Sequence, residues 1–253
     1  GPRGITPRID ARGVLVEGHG RPPMLASHSA PWYRSYLEEL GYQKHHDALA
    51  YDTPLYEGGE ARALPERLRT KAAGCDIPRL RIRPVSWAHL RRDLSLAYDV
   101  FIDGFRDVPD NTPVGKRQFL AGGAGFVGFT SRHMLQLAIV DGQPAGFALC
   151  FPELNEAIIR ARGQILPGGW VRFARGLRSI ETASFKLLSV LPAYRGTGLH
   201  AALISEAIQG VRRAGYTRLE ASLIDERNGP MRHIVETAGM EIYRRYRVYE
   251  REL

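Results

Sequence analysis

The chain has 253 residues, of which 44% are hydrophobic, 25% charged and 9% aromatic, a composition that excludes a disordered or collagen-like chain. No apolar run reaches the roughly 18 residues of a membrane-spanning helix. Thirty-five Lys+Arg against 27 Asp+Glu leave a net charge of +8, which predicts attraction to polyanions but says nothing of fold. On charge alone, nucleic acid, a membrane surface and a phosphorylated small molecule are all open. The two cysteines, Cys75 and Cys150, suggest neither a disulfide framework nor a Cys-based zinc site, and no metal is expected. Gly1-Pro2-Arg3-Gly4 is neither an initiator Met nor a signal peptide. It reads as a processed or recombinant start, and cytoplasmic residence is the default.

Residues 54–79 shift in composition, with Pro54, Gly58, Gly59, Pro65, Gly74 and Pro78 breaking any apolar period. They read as a linker with a short helix near Glu60 to Ala73. Leu80 to Val85 alternates as a strand does, and Ser86 stands at the N-cap of an amphipathic run from Trp87 to Phe105. Residues 111–129, rich in Gly and Phe, fit no pattern. Met134–Val140 and Pro144–Phe151 flank Asp141-Gly142-Gln143, the signature of a β-hairpin. Residues 153–180 look helical or mixed, with a break at Pro167-Gly168-Gly169. Phe185–Leu191 reads as a buried strand, Leu199–Ala214 as an amphipathic helix stopped by Gly215, and Leu219–Ile224 as a strand. A short helix over Pro230–Ala238 ends at Gly239, and Glu241–Tyr249 forms the last strand. The order from residue 80 is that of a mixed α/β domain.

Two segments echo each other. Glu38-Glu-Leu-Gly41 followed by Tyr51 parallels Glu236-Thr-Ala-Gly239 followed by Tyr249. Chance likeness between two helix–glycine–strand units explains the match equally well.

The strongest chemical signal is Leu188-Ser-Val-Leu-Pro-Ala-Tyr-Arg-Gly-Thr-Gly-Leu-His200. A strand enters a Gly-rich turn that opens a helix. Gly196 and Gly198 let the backbone curl, the first amides of the helix and its dipole face outward, and Arg195 adds charge. This is an anion site suited to a phosphate or pyrophosphate. It lacks the Gly-Lys-Ser/Thr ending of a Walker A loop and the third glycine of a dinucleotide fingerprint. A ligand-free Gly-rich turn is the plain alternative.

In context, the segment resembles the GNAT superfamily of acyl-CoA N-acyltransferases. The pyrophosphate loop of that family, Gln/Arg-x-x-Gly-x-Gly/Ala, matches at Arg195 and Gly198 with His200 in the last place, and Asn228 stands eleven residues before Gly239 as the family pattern asks. The likeness covers residues 80–253. The chain also resembles a bacterial group of long GNAT-like proteins with a divergent first half. It does so at Gly13–Gly18, Pro22-Pro23, Pro31-Trp-Tyr33, Glu226-Arg-Asn228, Pro230-Met231 and Tyr243–Glu250. The resemblance implies a GNAT fold, α/β (α+β), a mixed and mostly antiparallel central sheet flanked by helices, with an N-terminal extension. It implies residues 1–53 as the tail of a partial GNAT-like first half, 54–79 as the linker and 80–253 as the acyltransferase domain. The donor implied is acetyl-CoA or another acyl-CoA, and the acceptor a small-molecule or peptide amine.

Carried over residue by residue, the backbone of Leu188, Ser189 and Val190 meets the pantetheine arm and acyl carbonyl. Arg195, Gly196, Thr197, Gly198, Leu199 and His200 hold the pyrophosphate, and Asn228 touches pantetheine or holds the cleft. The family's acid, a Tyr seven residues after the Asn, is Val235 here. Tyr246 is the candidate acid, with Tyr243 and Tyr249 nearby, and strand packing explains these tyrosines as well. Glu181 is the candidate base, or a solvated Glu at a strand start. His200 contacts phosphate or solvent, and His233 reads as a surface residue. Trp170 is either a lid over the acceptor site or a packing contact. Arg91-Arg92 and Arg212-Arg213 read as wet helix faces, and Arg244-Arg245-Tyr246-Arg247 as edge-strand charge or a nucleic-acid surface. Three functions compete: an acyltransferase, an acyl-CoA sensor without transfer, and a basic nucleic-acid-binding module. Nucleic acid is the least favoured partner, no membrane is expected and a homodimer is left open. Gly198→Trp is the natural block of the phosphate loop.

Overall fold

The computed structural model describes residues 13–24, 26–104, 106, 114–163 and 168–252. In chain order the elements are β1 (Val14–Glu17), α1 (Tyr33–Glu39), β2 (Gln43–Pro54), β3 (Tyr56–Glu57), β4 (Glu60–Ala61) and α2 (Glu66–Ala73). Then come β5 (Leu80–Pro84), α3 (Leu90–Gly104), α4 (Lys116–Gly125), β6 (Leu135–Val140), β7 (Gln143–Pro152), α5 (Asn155–Arg160) and α6 (Gly169–Leu177). The last are β8 (Thr182–Val190), α7 (Leu199–Arg213), β9 (Arg218–Asp225), α8 (Gly229–Thr237) and β10 (Glu241–Glu250). The chain is mixed α/β, its paired strands mainly antiparallel and its helices packed on them. Contacts divide it into two compact units, one of residues 1–54, 153–184 and 220–253, the other of residues 55–152 and 185–219.

In the first unit the strand order is β1-β10-β2-β9. The sequence echo has a structural counterpart here. β1-α1-β2 and β9-α8-β10 are both strand–helix–strand, and Gly41 (φ 80°) and Gly239 (φ 77°) stand at the same place after their helices. Positive φ at these C-terminal stops is the conformation glycine takes without steric cost. β2 and β10 pair antiparallel with Ala48 opposite Tyr246. Each strand carries a bulge, at His45 in β2 and Tyr243 in β10, and the offset that takes Gly41 to Gly239 also takes His45 to Tyr243. Contacts are exchanged across this pair. The Tyr51 hydroxyl donates to Glu236 (3.1 Å) and that of Tyr249 to Glu38 (3.3 Å). Arg34 meets Glu38 one helical turn on (3.0 Å), as Arg232 meets Glu236 (3.5 Å). The same patch meets itself, as in a two-fold interface, but within one chain.

Asp47 anchors this unit. It is 1% exposed. Its carboxylate accepts from Arg247 Nε (2.9 Å) and Nη2 (3.2 Å), and it pairs with Lys44 Nζ (3.2 Å) and Arg245 Nη1 (3.5 Å). Its backbone N–H donates to Glu226 Oε1 (2.8 Å), and its carbonyl accepts from the Glu226 N–H (2.8 Å). Burial alone would raise the Asp47 pKa, but the bonds from Arg247 and Lys44 outweigh it and hold the carboxyl below its ordinary value.

The second unit has strand order β8-β7-β6-β5. The hairpin closes on two residues, Asp141 (φ 50°) and Gly142 (φ 80°), as the Asp-Gly signal predicts. β7 starts at Gln143 rather than Pro144, and an extra residue at Ala145 lets the proline into the strand. α3 packs on β7 around Val85, Leu94, Ala97, Val100, Phe101, Leu135, Leu137 and Phe147, and α7 also packs on β7, with Leu203 against Gly146. The run expected from Trp87 opens instead as a 3-10 turn, Trp87–His89, before α3. The Ser86 hydroxyl meets His89 Nδ1 (3.3 Å) and does not cap; the Ser86 N–H is bound by Asp93 (2.8 Å). The helix end expected at Phe105 falls on a residue outside the description.

Three segments differ from their sequence reading. Of residues 54–79, read as a linker, Pro54 ends β2 and residues 55–79 fall in the second unit. Leu55 N–H donates to Thr217 O (2.8 Å), Leu68 is buried and α2 lies on α7. α2 begins at Glu66 because Pro65 occupies its N-cap. Within 111–129, α4 forms despite its glycines, and Gly123 lets it approach Leu94 of α3 so closely that a Cβ there would stand 2.8 Å from the leucine; residues 111–113 lie outside the description. β8 begins at Thr182, three residues before the expected start. The break expected at Pro167-Gly168-Gly169 is described from Gly168 (φ 79°), the N-cap of α6, and Pro167 lies outside the description. No helix among the described residues is long and apolar enough to cross a membrane. Both cysteines are free, and burial pushes the Cys150 thiol well up.

Candidate functional site

Nine of the ten residues expected to hold the donor lie on one strand–turn–helix of the second unit. β8 ends at Val190, the Leu191 N–H donates to Ala145 O (2.9 Å) at the β7 bulge, and Pro192 starts a 3-10 turn to Tyr194. Thr197 Oγ1 donates to Tyr194 O (2.8 Å) and closes the turn. Gly196 (φ 80°) and Gly198 (φ 85°) are left-handed, and α7 begins at Leu199. Gly198 O accepts from Ala201 (2.9 Å) and Ala202 (3.1 Å). The amides of Gly196, Thr197, Gly198 and Leu199 make no hydrogen bond among the described residues. Those of Gly198 and Leu199 are among the donors a helix leaves unmet at its N-terminus, and those of Gly196 and Thr197 belong to the turn before it.

The two glycines face different surroundings. A Cβ on Gly196 would meet nothing within 4 Å, whereas one on Gly198 would lie 2.5 Å from Lys71 O and 3.4 Å from Cys75. Gly198→Trp therefore drives a side chain into the end of α2 and is not a clean block. Leu199 is fully buried, His200 half-buried and Arg195 exposed. Arg195 Nη2 reaches Gly104 O (3.4 Å) at the end of α3. Leu188 and Val190 are half-buried; the Ser189 hydroxyl points inward to Val100 O (3.2 Å). The absence of side chains at Gly104 and Gly146 lets α3 and β7 come close to Ser189.

The other expected residues belong to the first unit. Asn228 is exposed and caps α8, its Oδ1 accepting the Met231 N–H (3.1 Å). Glu181 is exposed just before β8, and its N–H donates to Glu156 Oε2 (3.0 Å). Tyr246 is 0% exposed, packed with Leu15, Ala48 and Ala50. Burial raises its phenol pKa against the opposing pull of Arg244. Trp170 is 60% exposed.

A buried polar group went unread in the sequence. Glu153 accepts from Met24 N (2.6 Å) and Asn155 N (3.2 Å), Glu156 pairs with Arg21 (3.1 Å), and the Ser184 hydroxyl donates to Glu220. Glu153, Glu156, Ser184 and Glu220 are all buried. The available signal was Glu220 standing between Leu219 and Ala221 in an apolar strand.

No protein-family model matches the chain. Among curated proteins it is similar to Protein YghO of Escherichia coli (strain K12), 28% identical over 251 residues, covering 95% of this chain and 62% of that one. It is also similar to a bacterial ceramide synthase of Caulobacter vibrioides, 26% identical over 248 residues, covering 95% and 63%. The chain thus spans less than two thirds of the length of either relative. Among solved structures it resembles a GCN5-related N-acetyltransferase from Sphaerobacter thermophilus, with a TM-score of 0.57, 16% identity and 93% and 57% of the two chains covered. It resembles a tandem GNAT protein from the clavulanic acid biosynthesis pathway with a TM-score of 0.54, 13% identity and 94% and 62% covered. The chain has the fold of the GNAT acetyltransferases.

Proposed function

We propose that this chain is an acyl-CoA-dependent N-acyltransferase that moves an acyl group, most simply acetyl, to an amine. The observation that carries the reading is the row of unpartnered amides from Gly196 to Leu199 at the start of α7. Two left-handed glycines shape the turn, the Gly196 side is open, and Arg195 adds a positive charge beside them. A pyrophosphate fits such a cradle, since it offers the charge and the acceptors that a helix N-terminus lacks. The fold supports the reaction class. A ceramide is an N-acyl amide, so the name of the Caulobacter relative is consistent with acyl transfer to an amine.

In the proposed reaction the amine nitrogen attacks the thioester carbonyl. The C–N bond forms, the C–S bond breaks, and the electron pair leaves on sulfur. The proton shed by nitrogen passes to a base or to water. Glu181, exposed just before β8, remains the proposed base. Tyr246 remains the proposed acid; its full burial gives it a packing role in any case. Leu188 to Val190 and Asn228 remain proposed contacts of the pantetheine arm.

Isothermal titration of the chain with acetyl-CoA and palmitoyl-CoA tests the donor, and thiol release over a panel of amines tests transfer. Arg195→Glu, which loses only one long hydrogen bond of the fold, is expected to weaken donor binding at least tenfold. Absence of binding by either thioester at millimolar concentration refutes the reading. Binding without thiol release favours a second one, an acyl-CoA sensor, for which the observation is Val235, 3% exposed where the resembled family has its acid.

A further inference from the structure

The second unit holds a cavity that the α7 loop does not use. It has a volume of about 310 Å³ and lies where β5, the start of α3 and the turn before β6 meet. Arg81, Arg83, His89, Arg92, Asp93 and Arg132 line it. β5 is the edge strand of this unit, with Arg81 opposite Ile139 and Arg83 opposite Leu137. Residues two apart share a face of a strand, so both arginines stand on the α3 side.

Only one of the four arginines is neutralised. Arg83 makes a bidentate pair with Asp93 (2.8 and 2.7 Å), and the same carboxylate accepts the Ser86 N–H (2.8 Å). Asp93 is 1% exposed, so its oxygens are committed to holding Arg83 and the start of α3. It is the one carboxylate in the described lining. Arg81, Arg92 and Arg132 are exposed and have no ion-pair partner among the described residues. Three guanidinium groups facing one cleft repel each other, and of the three Arg92 also attracts the Asp93 carboxylate. Their planar forks match the oxygens of a phosphate. Trp87, 40% exposed, belongs to the same 3-10 turn as His89.

We propose that this cavity binds a phosphate-bearing anion, either a soluble phosphate ester or the phosphate of a lipid headgroup. Calorimetric titration with inorganic pyrophosphate tests the chemistry. Arg81→Gln with Arg132→Gln is expected to weaken pyrophosphate binding at the cavity at least tenfold and to leave any binding at the α7 loop unchanged. The control pair Arg91→Gln with Arg117→Gln, equal in charge but outside the cavity, is expected to stay within twofold. The α7 loop is unaltered in both variants, so their difference isolates the cavity. Vesicles distinguish the source. Cosedimentation with phosphatidylglycerol but not phosphatidylcholine, lost in the cavity variant, assigns a headgroup. Pyrophosphate binding without cosedimentation assigns a soluble ester. Equal affinity of the two double variants, whether weakened or not, or no binding of either probe by the unaltered chain, overturns the proposal.

Discussion

Asp47→Asn removes one negative charge and keeps the side-chain shape. Three cations face that carboxylate, Arg247 at 2.9 Å, Lys44 at 3.2 Å and Arg245 at 3.5 Å. Deleting one member of a fully buried pair costs about 3–5 kcal/mol. Here the acid is buried but its partners are 18–40% exposed, so water recovers part of their charge and the expected cost falls to about 2–3 kcal/mol. For a chain of this size that lowers the melting temperature by roughly 5–10 °C in calorimetry. The pH dependence separates charge from shape. The folded-state pKa of Asp47 lies below its unfolded value, so its stabilisation is fully present above the unfolded value, about 3.9. It is lost as pH falls through the folded value. The gap between the two proteins is therefore constant from about pH 7 to 5 and closes only below about 4. A cost under about 0.5 kcal/mol at neutral pH, the range of a surface substitution, or a gap that closes near neutrality, refutes the reasoning.

Gly196→Ala and Gly198→Ala share a left-handed φ, so each carries a strain of roughly 1–2 kcal/mol. Only Gly198→Ala adds a clash, with Lys71 O at 2.5 Å; its melting temperature is expected to fall further, by about a further 1–3 kcal/mol of stability. Glu153→Ala removes the acceptor of the Met24 N–H, and faster limited proteolysis within residues 18–24 is the expected result, with an unchanged cleavage rate counting against the contact. Tyr51→Phe and Tyr249→Phe each delete a bond to a helix Glu, but Tyr51 is buried and also accepts from Arg232 (3.4 Å), whereas Tyr249 is half-exposed. The first is expected to cost about 1 kcal/mol in urea denaturation and the second less than half of that.

The α7 loop was legible because its chemistry is local. A strand end, two glycines and a helix start within thirteen residues specify two left-handed glycines ahead of the helix. The Asp141-Gly142 hairpin was legible for the same reason. The echo of Gly41 and Gly239 was visible as well, since a helix stop is written in its own residue.

What the sequence determined by itself is thus the set of elements with strong periods, the GNAT resemblance and the strand–turn–helix at Gly196 and Gly198. The tertiary structure alone decided which residues come together from far along the chain. It made residues 55–79 part of a packed unit, set the Gly-rich α4 close against Leu94, and paired β2 with β10 so that Tyr51 meets Glu236 and Tyr249 meets Glu38. It also buried Asp47 and Glu153 with their partners and gathered Arg81, Arg92 and Arg132 around one cavity. The physical reason is the range of the forces. Turn chemistry and helix caps act over a few residues and are written there, whereas packing and buried charge depend on neighbours that only the folded chain supplies.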